Sequence, residues 1–331
     1  MDLDAYQATA GASNALSHVD ELRALNAALF GLASETGTLL DIQKKVLTDA
    51  ADPVASNVQF QQELGDLLWY VSRVANAKGF TLQQIADANL DRVQDMWEPE
   101  DLAAAMAQLP RYDANVLATE QFPRRMTFEF VESTITRAGT RHPSATMTLV
   151  SAEPNAFPDG AIPRGSGKVQ GFLLPQEVGA ELTDNSRKVD GYRYHDAIHI
   201  AFMATLNWSA TMRSLLNLKR KTDDDADEFD DSARPIFLEE GLVAVLAGLS
   251  TRRMGFAAAS NVDGDALAAA RACIVGLEVE KAPGWLWRRA IVKGFEMLRE
   301  LDAHGGGRLY VDLDARTVEF GARPPRLTRS A

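Results

Sequence analysis

Apolar residues recur at helical spacing through most of the first hundred positions. In the segment Gly31–Lys45 the stripe is Leu32, Leu39, Leu40 and Ile42, and in Glu63–Val93 it is Leu64, Leu67, Leu68, Val71 and Val74. The pattern predicts four helices. The first covers Asp4 to about Ala12, and the second is capped by Asp20 and runs to about Leu47. Asp52-Pro53 marks a loop before a third helix over Asn57–Lys78, which Gly79 ends. Thr81 caps the fourth, Leu82–Trp97. Short connections between amphipathic helices imply an antiparallel bundle.

The period changes after Pro123. Thr127–Val131 and Thr146–Val150 alternate as short strands do, and Leu309–Leu313 and Thr317–Phe320 are close enough to form a hairpin around Asp314-Ala315-Arg316. Glu153–Gly171 is rich in Pro and Gly and reads as loop. Helices return over Gly191–Leu206, Ser209–Lys221, Arg234–Met254, Asp265–Val279 and Trp285–Ala303. The expected fold is mainly α. An antiparallel four-helix bundle over residues 1–97 precedes a connecting segment, 98–125, and an α+β domain with a small antiparallel sheet, 126–321. The polar tail, 322–331, is expected to be disordered.

A chain of 331 residues with 46% hydrophobic content is long enough for two such cores. The net charge of −12 argues against a general nucleic-acid binder, though not against a local basic pocket. The single Cys273 excludes an intramolecular disulfide framework and fits a reducing compartment. No apolar run reaches the roughly 18–20 residues of a membrane span, and the start Met1-Asp2-Leu3-Asp4 lacks the basic and apolar parts of a secretory signal. The expectation is a cytoplasmic protein.

The chemistry lies in acids on otherwise apolar helix faces. Glu63 and Asp66 are three residues apart, so they are neighbours on the third helix. Glu35 lies on the second. If these helices pack antiparallel, three carboxylates converge, and a divalent cation is the natural partner of acids held so close. Oxygen ligands alone suit Mg²⁺ or Mn²⁺ better than zinc.

These residues resemble the MazG-like all-α nucleoside triphosphate pyrophosphohydrolases, a superfamily that also holds the dimeric dUTP pyrophosphatases and phosphoribosyl-ATP pyrophosphatase. The family signature is Glu-x-x-Glu on one helix and Glu-x-x-Asp on the next. Glu35 matches the first position, Glu63 and Asp66 match the second pair, and Tyr6, Gln7, Lys44, Lys45 and Asn89 fall where similar residues flank it. The resemblance covers roughly residues 1–97. It implies Mg²⁺-dependent cleavage of a nucleoside triphosphate to the monophosphate and pyrophosphate, in a homodimer or with an intramolecular substitute from the second domain. Glu35, Glu63 and Asp66 would hold the metal and supply the base. Lys44 and Lys45 offer charges to the polyphosphate, Trp69 offers a face to the base, and Asn89 and Arg92 could reach ribose or phosphate.

Thr38 departs from the signature, standing where the family has its second Glu. A hydroxyl is a neutral, weaker ligand. Asp41 is no simple replacement, being about 240° around the helix from Glu35. The alternative reading is therefore a nucleotide-binding regulatory protein with weak or no turnover.

A second cluster lies at Asp190–His199, where His195 and His199 share a helical face. Glu239 and Glu240, on a later helix, could complete a metal site, and a transition metal would suit it. The other reading is a hydrogen-bonded network in which Tyr192, Tyr194 and Asp196 are the partners. A subset of MazG-like proteins carries a similar extension, which implies no activity. The basic triplet Lys219-Arg220-Lys221 reads as a helix end and the acidic run Asp223–Asp231 as a solvated loop. Glu228 stands where an EF-hand loop needs Gly.

Overall fold

The computed structural model describes residues 2–12, 20–48, 52–137, 139–153 and 174–322. Most of the loop expected at Glu153–Gly171 and nearly all of the tail lie outside them. Contacts divide the chain into two compact units, Met1–Gln94 and Asp95–Ala331. Among the described residues no helix is long and apolar enough to cross a membrane.

The first unit is built on a helical hairpin of α2 (Glu21–Leu47) and α3 (Pro53–Lys78). The Asp20 carboxylate accepts from Arg23 N, and Asp52 accepts from Val54 N, so each N-terminus has a polar cap. Gly79, at φ 74°, ends α3 in the left-handed conformation that glycine tolerates. α2 and α3 run antiparallel, since Gly31 meets Tyr70 while Glu35, further along α2, meets Glu63, earlier on α3. A Cβ at Gly31 would lie 2.1 Å from the Tyr70 ring, so only glycine admits this approach.

The preceding α1 (Leu3–Ala12) is tied to α3 by Gln7. Its amide nitrogen donates to Asn76 Oδ1 at 2.6 Å and to the Phe80 carbonyl at 2.9 Å. The Gln7 carbonyl accepts from Leu82 N, which anchors the start of α4 (Leu82–Met96). Thr81 and Gln84 exchange side-chain-to-backbone bonds at 3.0 Å, the reciprocal cap expected at this helix start. The stripes read from sequence are only partly covered within one chain. Ile42 is buried, but Leu40 is 66% and Leu64 51% exposed.

The second unit begins earlier than the expected α+β boundary. Residues 98–125, read from sequence as a connection with room for one short helix before Pro110, contain α5 (Leu102–Ala107), and Leu102, Met106 and Tyr112 pack on the core of the second unit. Five strands follow: β1 (Arg125–Arg137), β2 (Thr140–Glu153), β3 (Gln176–Thr183), β4 (Gly306–Asp312) and β5 (Thr317–Gly321). They form one antiparallel sheet in the order β3-β2-β1-β4-β5. Four contain the expected segments. β3 gave no signal because it is an edge strand with few apolar residues, interrupted by Gly179 at φ 74°.

Helices α6 (Asp196–Leu206), α7 (Ala210–Leu215), α8 (Ala233–Ser250), α9 (Gly264–Cys273) and α10 (Gly284–His304) complete the unit. α7 and α9 are much shorter than the patterns suggested. α6 is buried along its whole length. Ala197, Ile200, Ala201 and Ala204 pack in the sheet core, while Ile198, Phe202 and Leu206 pack in the helical core. A helix apolar all round is stable only when covered all round. Gly294 of α10 permits its close crossing over α6, because a Cβ there would sit 3.0 Å from Ile198 Cα.

Asp223, Asp224, Asp225 and Glu228 are exposed, as expected of a solvated run, but the residues at its two ends are not. Arg220 and Asp231 are both buried, joined by bonds of 2.7 and 3.0 Å from Nη2 and Nε, with Glu278 on the other side of the guanidinium at 2.7 Å. A buried guanidinium with its donors satisfied by two carboxylates holds the chain on either side of the run in place. Asp231→Ala is expected to destabilise the full-length protein by about 3–5 kcal/mol in urea unfolding, because it strands a buried guanidinium. A loss under 1 kcal/mol, as exposed pairs give, would show the pair to be solvated.

Candidate functional site

The α2–α3 approach at Gly31 sets Glu35 against Glu63 one turn further along. The Glu63 carboxyl is raised above its ordinary range by desolvation, by a hydrogen bond with Glu35, and by the charges of Glu35 and Asp66. Crowded carboxyls retain a proton because like charge disfavours ionisation. A cation at the seam would replace that proton. Asp66 is exposed and acts on Glu63 through its charge. The three acids are not drawn as tight as a fully formed metal cage: their ligand atoms do not all lie within 4.8 Å of one another, as another cluster's do.

Thr38 is exposed, and its hydroxyl donates to the Ser34 carbonyl at 3.3 Å within α2. Lys45 pairs with Asp41 at 2.7 Å, which holds the Asp41 carboxyl below its usual range and ties Asp41 to its own helix. Lys44 is exposed in the last turn of α2. Tyr70 is a packing residue over Gly31, and its ring meets that of Trp69 edge-on at 4.9 Å. Arg73 lies 5.6 Å over the Trp69 face. Asn89 and Arg92 are exposed on α4 and bonded to each other at 3.2 Å.

The second cluster lies at the start of α6, against α8. Among the described residues, His195, Asp196 and His199 are the group of metal-ligating side chains whose ligand atoms all fall within 4.8 Å of one another. His199 Nδ1 lies 2.8 Å from Glu239 Oε1. Glu239 also accepts from Ser209 Oγ at 2.6 Å and from Thr211 N at 2.9 Å. It is fully buried, with Oε1 shared by His199 and Ser209 and Oε2 taken by Thr211. His195 Nδ1 lies 3.0 Å from the Tyr192 carbonyl, and the Tyr192 ring stacks on the imidazole at 4.5 Å. Tyr194 is turned away, donating to Glu132 at 2.7 Å. Glu240 Oε2 is 3.7 Å from His195 Nε2 and 3.5 Å from His199 Nε2.

Charge at this cluster is strongly perturbed. Burial disfavours the His199 imidazolium, but the charge and hydrogen bond of Glu239, then those of Glu240, lift its pKa to about 10. Desolvation pushes the Asp196 carboxyl up, against the pull of His195 and His199. Desolvation opposes the Glu240 carboxylate too, yet the two histidines beside it hold it well below the usual range. The sequence named both histidines and both glutamates but used Asp196 only as a hydrogen-bond partner. Its place between two histidines on one helical turn was the signal for a ligand.

Comparison with known proteins fits this architecture. Residues 163–324 match the family model described as the MazG C-terminal domain, which takes in most of the second unit. A Gene 37 protein of Mycobacterium phage L5 is 29% identical over 99 residues, covering 28% of this chain and 87% of the phage protein. No solved structure gives a significant match. On these findings residues 163–324 are similar to the MazG C-terminal domain, and the phage protein is a distant relative.

Thr38→Glu tests whether position 38 faces the cation. A further charged ligand is expected to tighten Mg²⁺ binding by roughly tenfold in titration calorimetry. Unchanged affinity would place position 38 away from the ion.

Proposed function

We propose that this protein is a Mg²⁺-dependent nucleotide pyrophosphohydrolase, cleaving a nucleoside triphosphate to its monophosphate and pyrophosphate at the α2–α3 carboxylate seam. The observation that carries the reading is the close pairing of Glu35 with Glu63, which raises the proton affinity of Glu63 and so suits a cation. Glu35, Glu63 and Asp66 are the residues that would hold the metal, with Thr38 as a neutral neighbour. Their donor set, all oxygen and mostly anionic, fits Mg²⁺ or Mn²⁺. The ion, when bound, neutralises phosphate charge and favours a nucleophilic water.

The chain's own residues supply the rest. A carboxylate of the seam takes the water proton as the water oxygen bonds to the α-phosphorus. The bond from that phosphorus to the α,β-bridging oxygen breaks in line, and pyrophosphate leaves. Lys44 would offer charge to the polyphosphate, while Lys45 has Asp41 as a competing partner. Trp69, Asn89 and Arg92 are proposed contacts to the nucleoside.

A homodimer completes this reading. Within one chain Phe30, Leu40, Leu47 and Leu64 of α2 and α3 are all more than half exposed. Large apolar side chains left exposed in this way favour burial in an interface. Leu64 adjoins Glu63 in sequence, so a partner covering it would also restrict water at the seam. Sedimentation of the full chain should show a dimer.

The second reading, nucleotide binding with weak or no turnover, rests on Thr38, whose hydroxyl bonds to its own helix. One experiment separates the two: pyrophosphate release from a nucleotide panel with Mg²⁺ or Mn²⁺, for the parent and for Glu63→Gln. The hydrolase reading expects turnover that falls by at least about 100-fold in the variant, with the fold and its metal-free stability kept. Binding without pyrophosphate release would favour the regulator. Equal turnover by Glu63→Gln would remove the carboxylate assignment.

A further inference from the structure

We propose that His195, Asp196, His199 and Glu240 form a binding site for one divalent transition-metal ion of the manganese-to-zinc series, inside the second unit. The site is chemically distinct from the α2–α3 seam, and it does not rest on the hydrolase reading.

The first observation is orientation. His199 gives its Nδ1 side to Glu239 and His195 gives its Nδ1 side to the Tyr192 carbonyl. In the neutral imidazole an oxygen acceptor at Nδ1 fixes the tautomer that leaves Nε2 with its lone pair, so an ion bound at Nε2 displaces the second proton of a charged His199. Both Nε2 atoms then face Glu240, and that of His195 also faces Asp196, whose ligand atom lies within 4.8 Å of one on each histidine. A histidine held by a carboxylate behind it is the usual support of a metal-bound imidazole. Glu239 is itself fixed by Ser209 and Thr211, so the support is rigid.

The second observation is an unsatisfied atom. His199 is completely buried, and its Nε2 makes no hydrogen bond, although it faces into the cluster. Buried polar atoms are rarely left this way unless something else occupies the space.

Distances decide between an ion and a purely proton-held network. Charge-assisted hydrogen bonds between imidazolium and carboxylate are about 2.7–2.9 Å long. The Nε2-to-carboxylate distances here are 3.5 Å for His199–Glu240, and 3.7 Å for both His195–Asp196 and His195–Glu240. Ligands about 2.1 Å from a four-coordinate ion lie about 3.4 Å from one another. The spacing is thus too long for strong hydrogen bonds and close to that of ligands around one ion.

Chemistry selects the metal. Two neutral imidazoles with two carboxylates favour a transition metal over Mg²⁺ or Ca²⁺, which prefer oxygen throughout. The two carboxylates balance a charge of two. Glu240 is the partly exposed member, at 41% of its side chain, while His199 is fully buried, so the ion enters and exchanges on the Glu240 side.

The test uses the full-length protein, stripped with a chelator and titrated with Zn²⁺ and with Co²⁺. One equivalent of either ion should bind per chain at micromolar concentration. Co²⁺ should develop the visible absorption of a nitrogen- and oxygen-ligated ion, and Zn²⁺ should raise the thermal midpoint. Glu240→Gln, at the solvent edge, should fold normally and weaken Zn²⁺ binding at least about tenfold. Asp196→Asn should do the same, with far-UV circular dichroism confirming the fold. Glu63→Gln should leave this Zn²⁺ site intact, which separates its fate from that of the seam. Absence of stoichiometric Zn²⁺ and Co²⁺ binding by the parent would overturn the site. So would unchanged affinity in both Glu240→Gln and Asp196→Asn.

Discussion

The contact between Gly31 and the Tyr70 ring sets the geometry of the first unit. It brings α2 and α3 closer than any side chain at position 31 would allow. The antiparallel register it fixes places Glu35 opposite Glu63. Two carboxyls on facing helices repel unless a proton or a cation lies between them, and the Glu63 carboxyl is raised by desolvation, by its hydrogen bond with Glu35 and by the neighbouring charges. The seam is therefore a place where packing energy holds electrostatic strain. The exposed apolar residues alongside are consistent with a unit that completes its burial by association.

A different constraint organises the second unit. α6 has no solvent face, being covered by the sheet on one side and by helices on the other. Any polar residue on it must find its partners inside the protein. His199 and Asp196 do so only in part, and the residues around them, Glu239 above all, are arranged for orientation more than for neutralisation. Arg220 with Asp231 and Glu278 shows the contrast. There every contact is short and the guanidinium is fully engaged, as a network serving the fold alone should be.

The helices of the first unit were legible because their period, caps and terminal glycine agree. Asp20, Asp52, Thr81 and Gly79 each act locally, so a single sequence reveals them. The pairing of Glu35 with Glu63 was legible too, because helical spacing and an antiparallel hairpin suffice to predict it. The exposure of Leu40 and Leu64 was not, since an amphipathic stripe does not say whether its cover comes from the same chain. In the second unit the strands with alternating apolar residues were visible, whereas β3 carries too little apolar content to register. The burial of Arg220 and Asp231 was hidden because a charge run looks solvated until long-range contacts are known. The hold of Glu239 on the Nδ1 side of His199, a contact spanning forty residues, lies beyond what local spacing can show.

The central claim is that water attacks the α-phosphorus of a nucleoside triphosphate at the Glu35–Glu63 seam. Its most direct test is to run turnover in water enriched in heavy oxygen, with the parent protein and with Glu35→Gln. The account predicts that the label enters the nucleoside monophosphate and not the pyrophosphate, and that Glu35→Gln forms little labelled product. Label appearing in pyrophosphate or in inorganic phosphate, or equal labelling of the monophosphate by Glu35→Gln, would contradict it.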